Sequence, residues 1–196
     1  MKSLEDAKQN TLRLFSNADW VRWVHEGSSP AYNPTTKTVN IVLSALSLGM
    51  HCPTCLNLNG CCFPKNNMPK HPLHENCHCT VEPINNVNFV AECLLAKLTN
   101  YIFKHKDIND KLGLFQSWGY ISDDSFLLQN EYEKQAKEKY ALGNFTLEPL
   151  SPYGQKICIE ITLPRKDKLE SVTFKSIWMV YPDGEILLVT PYGGKI

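Results

Sequence analysis

The stretch Lys156-Ile157-Cys158-Ile159-Glu160-Ile161-Thr162-Leu163 decides the fold class. Ile157, Ile159, Ile161 and Leu163 alternate strictly with Cys158, Glu160 and Thr162, and a two-residue period is that of a strand with one face buried. Downstream, residues 174–181 and 185–190 flank Pro182-Asp183-Gly184, whose residue types suit a tight turn between strands. Upstream the period changes. Val90, Cys93, Leu94, Leu98, Tyr101 and Ile102 fit an amphipathic helix over 89–105, and a short helix is predicted over 108–118, closed by Gly119. Ser122 predicts the N-cap of a third, with Asp123 and Asp124 in its first turn, where negative charge suits the helix dipole, and with its end at Gly143. In that helix Lys134, Lys137 and Lys139 alternate with Glu131, Glu133 and Glu138, which predicts a solvated ion-pair face rather than a phosphate-binding stripe. Helices followed by strands predict an α+β fold with an antiparallel sheet.

The N-terminal part reads differently. Leu4, Ala7, Leu14, Ala18, Val21 and Val24, widened by Trp20 and Trp23, predict a helix over 4–25 that Gly27-Ser28-Ser29-Pro30 stops. The run Val39–Leu48 fits a buried strand or a short helix. Residues 50–83, with Pro53, Pro64, Pro69, Pro72 and Pro83, hold too few large apolar side chains for a core of their own and need a staple. The composition shifts across Pro83–Asn88. Two regions are therefore expected: 1–86, an N-terminal helix with a loop-rich Cys/His knuckle, and 87–196, an α+β domain.

Among 196 residues, 43% are hydrophobic and 20% charged, an ordinary globular composition, and 20 basic residues balance 20 acidic ones. No net field draws such a chain to nucleic acid or to an anionic membrane. Residues 1–10 lack the apolar stretch of a secretory signal, and the most apolar run, Val39–Met50, is about 12 residues against the ~20 that span a bilayer. These features predict a soluble protein, not exported by a signal peptide, with no membrane partner and with reduced thiols.

Six of the eight cysteines fall between Cys52 and Cys79. In a reducing compartment such a cluster points to metal before disulfides. Cys52-Pro53-Thr54-Cys55 is half of a tetrahedral site, because a turn between two such cysteines aims both sulfurs at one ion. The other half is Cys77 with Cys79, His74 with Cys77, or His74 with Cys79. Thiolate and imidazole donors select zinc over magnesium or calcium. A structural ion contributes on the order of 10 kcal/mol of apparent binding energy to folding, more than this segment gains from apolar burial. Redox chemistry at a C-x-x-C calls for a helix N-terminus in a βαβ unit, and the Pro/Asn-rich sequence after Cys55 promises no helix. Glu75 and Glu82 are the nearest carboxylates and neither sits in a catalytic zinc frame, so the expected role is structural. Cys61 and Cys62 lack ligand spacing.

Cys52-Pro-Thr-Cys55-Leu-Asn-Leu-Asn-Gly60, Phe63-Pro64, Met68-Pro69 and His71-Pro72-Leu73-His74-Glu75-Asn76-Cys77-His78-Cys79-Thr80 together resemble the C-terminal motif of the phage Mu F-like minor head (head morphogenesis) family. That family shows a C-x-x-C, a Leu-x-Gly, a Phe or Tyr, and a His-Pro-x-Cys-Arg-Cys ending. Here His74-Glu75 stands for the His-Pro and His78 for the Arg, and the resemblance covers about 45–83. It implies a protein partner at the phage head or portal, a role in head assembly, and residence in the bacterial cytoplasm or the virion.

Trp118-Gly119-Tyr120, Tyr153-Gly154-Gln155, Trp178-Met179-Val180 and Thr190-Pro191-Tyr192 resemble a bacterial toxin-associated domain of unknown function. That likeness implies a second reading, an effector whose C-terminal half is a metal-independent ribonuclease, with RNA as substrate and an immunity protein as partner. General acid and base groups for such cleavage would come from Lys156, Glu160, Lys175, Thr190 and Tyr192, with Lys104 and with His105, the one histidine of this half. The plainer reading makes Trp118, Tyr120, Tyr153 and Trp178 core aromatics.

Overall fold

The computed structural model describes residues 20–25, 28–33, 38–43, 52–75, 77, 79–104 and 111–195, with strands 28–33 and 38–43 described by their backbone alone. Trp20–His25 (β1) is a strand where a helix was expected, and residues 4–19 of that expectation lie outside the described residues. The sequence Trp-Val-Arg-Trp-Val-His is aromatic and β-branched, and its backbone is claimed by partners on both sides. Pairing across the chain overrides the weak helical period. Ser28–Asn33 (β2) and Thr38–Leu43 (β3) form an antiparallel pair, so the described part of the Val39–Leu48 run is strand. Pro53–Leu58 (α1) is a short helix, followed by Cys62–Pro64 (β4) and Cys79–Ile84 (β5). β4 and β5 flank β1, both antiparallel.

Val90–Glu92 (β6) corrects the expected helix over 89–105: these residues pair parallel with the last strand, and helical geometry follows only as a π-type turn at Lys97–Ile102. Val90 donates its N–H to Gly184 O at 3.1 Å, which ties this segment to the sheet rather than to a helix of its own. Lys111–Ser117 (α2) is the expected short helix, with its residues 108–110 outside the described set. A 3-10 turn at Ser122–Asp124 leads into Ser125–Ala141 (α3), whose cap is Asp124, two residues later than the expected Ser122. Thr146–Leu147 (β7), Lys156–Pro164 (β8), Ser171–Val180 (β9) and Glu185–Lys195 (β10) complete a sheet in the order β6-β10-β9-β8-β7, antiparallel except for β6. The fold is α+β.

On β8, Ile157, Ile159, Ile161 and Leu163 are fully buried, as the alternation requires. Asp183 and Gly184 have φ of 60° and 86°, the two left-handed residues a type I′ hairpin needs. A side chain at Gly184 would also strike Val87. Leu128, Tyr132, Ala136 and Tyr140 form the buried stripe of α3 at four-residue spacing. Its polar residues seal sheet edges. The Gln135 carboxamide donates to Thr162 O at 2.7 Å and accepts the Thr162 N–H at 2.9 Å, acting as a one-residue strand against β8. Lys139 donates to Glu160 O at 2.5 Å, and Glu133 accepts the Cys93 N–H at 2.9 Å. Only Lys134, Lys137 and Glu138 of that helix keep the solvated role expected of all its charges.

One apolar cluster takes in residues from both sides of position 86, among them Trp20, Trp23 and Phe63 before it and Tyr140, Trp178 and Ile186 after it. Trp20 meets Phe89 at 4.6 Å and Tyr140 at 5.4 Å between ring centroids. Tyr140 donates its hydroxyl proton to Cys62 O at 2.7 Å. Trp118, Tyr120 and Trp178 are core aromatics as expected, but Tyr153 is 80% exposed, carried outward by the tight turn that bridges Ser151 to Gly154. No described helix is long and apolar enough to cross a membrane.

Candidate metal centre

Cys52 caps the N-terminus of α1, with Pro53 in the first turn, where its missing N–H costs nothing. The Pro/Asn-rich stretch thus does hold a helix, against expectation. One turn of it brings Cys52 and Cys55 to the same side. Cys79 opens β5 opposite His25 of β1, and Cys77 and His74 stand just before it in the chain. The fold closes these two segments on each other. Cys55 Sγ lies 3.2 Å from His74 Nε2 and 3.7 Å from Cys77 Sγ.

Two donor groups result, each with all its donor atoms within 4.8 Å of one another: Cys52, Cys55 and His74, and Cys55, Cys77 and Cys79. Cys55 belongs to both. A zinc–sulfur bond of about 2.3 Å gives a tetrahedral S···S edge of about 3.8 Å, and the Cys55–Cys77 separation of 3.7 Å matches it. A disulfide would need about 2.05 Å, and all eight cysteines are free. Either group can hold a metal ion, and each candidate ligand read from the sequence belongs to one of them. His78, between two of the ligands, lies outside the described residues.

The surroundings prepare these donors. Burial opposes ionisation of Cys52, but hydrogen bonds from the backbone of Cys55 and Thr54 outweigh it and hold the thiol at about 7. At Cys77 burial also opposes the thiolate, and backbone hydrogen bonds from Cys79 and Leu73 again prevail and lower its pKa. Burial, joined by the Cys79 sulfur, pushes the Cys55 thiol well up. Burial likewise raises Cys79, against the Trp23 indole, which favours its thiolate. Two buried thiols clustered with others are protonated at neutral pH without a cation and ionise when one binds. The buried Trp23 indole N–H makes no other hydrogen bond and faces the Cys79 sulfur, a placement that suits a donor to a metal-bound thiolate. The His74 ring has its Nδ1 2.8 Å from Glu75 O; with the proton on Nδ1, Nε2 faces Cys55 as a free donor.

Trp23 and His71 are parts of the site that the sequence did not announce. His71 Nε2 lies 2.8 Å from Cys79 O, and its ring meets Trp23 edge-on at 5.2 Å. A helical reading of 4–25 hides Trp23, and nothing in spacing marks His71. Cys61 and Cys62 stay out of the cluster as expected, fully buried, with Cys61 Sγ 3.7 Å from Val180 O and Cys62 Sγ 3.5 Å from Gly60 O.

The acid–base candidates of the second half are spread over the sheet. Glu160 of β8 and Lys175 of β9 are cross-strand neighbours on an exposed face, and Lys156 pairs with Met179 at the start of β8. Thr190 sits at a register shift opposite Ile177. Tyr192 packs against Trp118 at 6.2 Å and Phe174 at 5.5 Å, a structural position. Lys104 is exposed, and His105 lies outside the described residues. A cleft of about 340 Å³ beside Glu160 is lined by Lys139, Asn144, Phe145, Thr146 and Cys158, and Glu160 is the one member of the candidate set that reaches it.

Fold and cluster together define an α+β protein with a Cys/His centre able to hold a metal ion. Set against protein-family models, curated proteins and solved structures, the chain finds no match.

Proposed function

We propose that this chain is a binding and assembly module of the phage minor-head type, held in shape by one structural zinc ion at the Cys/His centre. The observation that carries the reading is the convergence of five soft donors from two separate segments around Cys55. Thiolates with an imidazole suit zinc, and a catalytic zinc keeps one position open for water or substrate. Here the donors outnumber the four places of a tetrahedral ion, so the centre favours holding over reacting. The partner is a protein of the phage head or portal, met by the surface that the stapled segment presents.

Metal analysis of the purified chain tests the first part: about one zinc per chain, absent from Cys55→Ser. Purification with freely reactive thiols, no metal and an intact fold would end the proposal. Co-purification with a portal protein, lost on chelation, tests the second. Expression of the full chain in bacteria separates the effector reading: growth arrest relieved by Lys175→Ala or Lys156→Ala would replace assembly with ribonuclease activity, and healthy growth at high expression removes it.

A further inference from the structure

We infer that Cys52 and His74 share one coordination position, so that the centre exchanges between a four-thiolate set and a three-thiolate, one-imidazole set while Cys55, Cys77 and Cys79 stay bound. The inference rests on the zinc reading above. A tetrahedral ion takes four ligands, and the two donor groups that share Cys55 offer five. Cys55 is common to both donor groups; Cys52 and His74 complete one of them, and Cys77 and Cys79 the other.

Burial sets Cys55 and Cys79 apart from the other donors. Cys55 and Cys79 are 1% and 5% exposed, whereas Cys52 and Cys77 are half-buried and His74 is exposed. Cys79 is further fixed by the β1–β5 ladder through its pairing with His25, and by the contact of its carbonyl with His71 at 2.8 Å. No sheet ladder holds Cys52 or His74. Cys52 is the cap of a six-residue helix, and the His74 ring is aimed at Cys55 by its contact with the adjacent Glu75 carbonyl. Cys55 and Cys79 are therefore the buried ligands, Cys77 joins them through its Sγ 3.7 Å from Cys55 Sγ, and the two ligands that compete lie nearer to solvent than Cys55 and Cys79.

The exchange is a ligand substitution with no change in oxidation state. With an ion bound, Cys52 would yield its place to His74 Nε2, and the released thiolate would take a proton from solvent. The net charge of the centre moves from −2 with four thiolates to −1 with three. A substituted corner is also where an incoming thiol or chelator enters without unfolding the sheet behind it. The second ligand at that corner makes the ion removable in steps.

The test compares the unaltered chain with Cys52→Ser, His74→Ala and the double variant, each loaded with zinc and, separately, with cobalt(II). Each single variant should still hold one ion, with affinity within the about 100-fold that loss of a supporting partner costs. The double variant should lose stoichiometric binding. The cobalt absorption of Cys52→Ser should lie at shorter wavelength than that of His74→Ala, because nitrogen replaces sulfur, and the unaltered chain should fall between them. Far-UV circular dichroism of the loaded forms checks folding. A cadmium-113 NMR signal of the unaltered chain, averaged between those of the two variants, supplies a second readout that needs no loss of binding. If Cys52→Ser abolishes binding while His74→Ala matches the unaltered chain in affinity and spectrum, the ligand set is a fixed four cysteines and the inference is wrong. The mirror result, with His74 essential and Cys52 silent, overturns it equally, and in both cases the zinc reading survives. If the unaltered chain binds no ion, the zinc reading itself fails and this one falls with it.

Discussion

The β8–β10 sheet and the segment between β4 and β5 differ in what holds them. In the sheet, β8 is paired with β9 along its length and β9 with β10 across two register shifts, the inward side chains of β8 are fully buried, and α3 closes the exposed edge of β8 with Gln135 and Lys139. In residues 65–75, no helix or strand forms among the described residues, and the chain is tied mainly at points, such as Asn67 Nδ2 to Phe145 O at 2.8 Å. The sheet is held by area removed from water. The loop brings together two donor groups able to hold a metal ion, and on the proposal above that ion would hold it. A region of the second kind needs few large apolar residues but depends on its ion.

The largest test of this difference is removal of the metal. Chelation, or Cys55→Ser, should withdraw the staple, worth on the order of 10 kcal/mol in small zinc modules. Hydrogen exchange followed by mass spectrometry should then show residues 65–77 open to solvent and to protease, while amides of β8, β9 and β10 keep their protection. Loss of protection across both would mean a single cooperative unit. Next in size is Trp178→Ala, which empties a fully buried site and strips the Ser176 hydroxyl of the indole donor it accepts from at 2.8 Å. A loss of about 3–5 kcal/mol in denaturant melts is expected, from the usual cost of truncating a core aromatic. The metal content should not change, and a chain that loses its ion on this substitution breaks the comparison. Smaller again is Tyr140→Phe. Its hydroxyl crosses from α3 to the buried Cys62 carbonyl beside the centre. Leaving that acceptor unpaired should cost about 1–3 kcal/mol, and protection should fall first in α3 and β4, the two elements that this bond joins.

How much of this the sequence disclosed depends on whether the signal was local. The alternation of β8 and the Pro182-Asp183-Gly184 turn are properties of a few consecutive residues, and each stands in the structure as read; the Cys and His donors read from the sequence fall into two groups able to hold a metal ion. β1 and β6 were read as helix because their fate is decided by remote partners. Trp20–His25 is flanked by Cys62–Pro64 and Cys79–Ile84, and Val90–Glu92 meets Glu185–Leu187. Sequence spacing is blind to both pairings. The same holds for the charges of α3. Glu133 and Lys139 look like an exposed ion-pair face until the sheet edges they bind are known. At the centre, the donors were legible from Cys and His spacing, but the role of Cys55 as the shared corner arises only when two segments close on each other.

The smallest predicted effect lies at the start of α3, far in sequence from the cluster. Asp124 receives the Lys166 ammonium at 2.8 Å and the Ile121 N–H at 3.0 Å. Lys166, first, and then the backbone of Ile121 hold its carboxyl below the ordinary 3.8. A carboxyl with a lower pKa folded than unfolded binds fewer protons in the native state, so its contribution is complete above the unfolded value and disappears as pH falls through the folded one. Lys166 is 43% exposed, which screens the pair and limits it to less than about 1 kcal/mol. Asp124→Asn should therefore lower the denaturation midpoint slightly and constantly above about pH 5, and the gap to the unaltered chain should close below about pH 3. Urea melts across that range decide it. A gap that persists in acid would assign the effect to the N-terminal turn of α3 and its hydrogen bonds, not to charge. Zinc content measured at neutral pH should be the same in both chains, because this pair ties α3 to the β8–β9 connection and not to the segment that the proposed ion would hold.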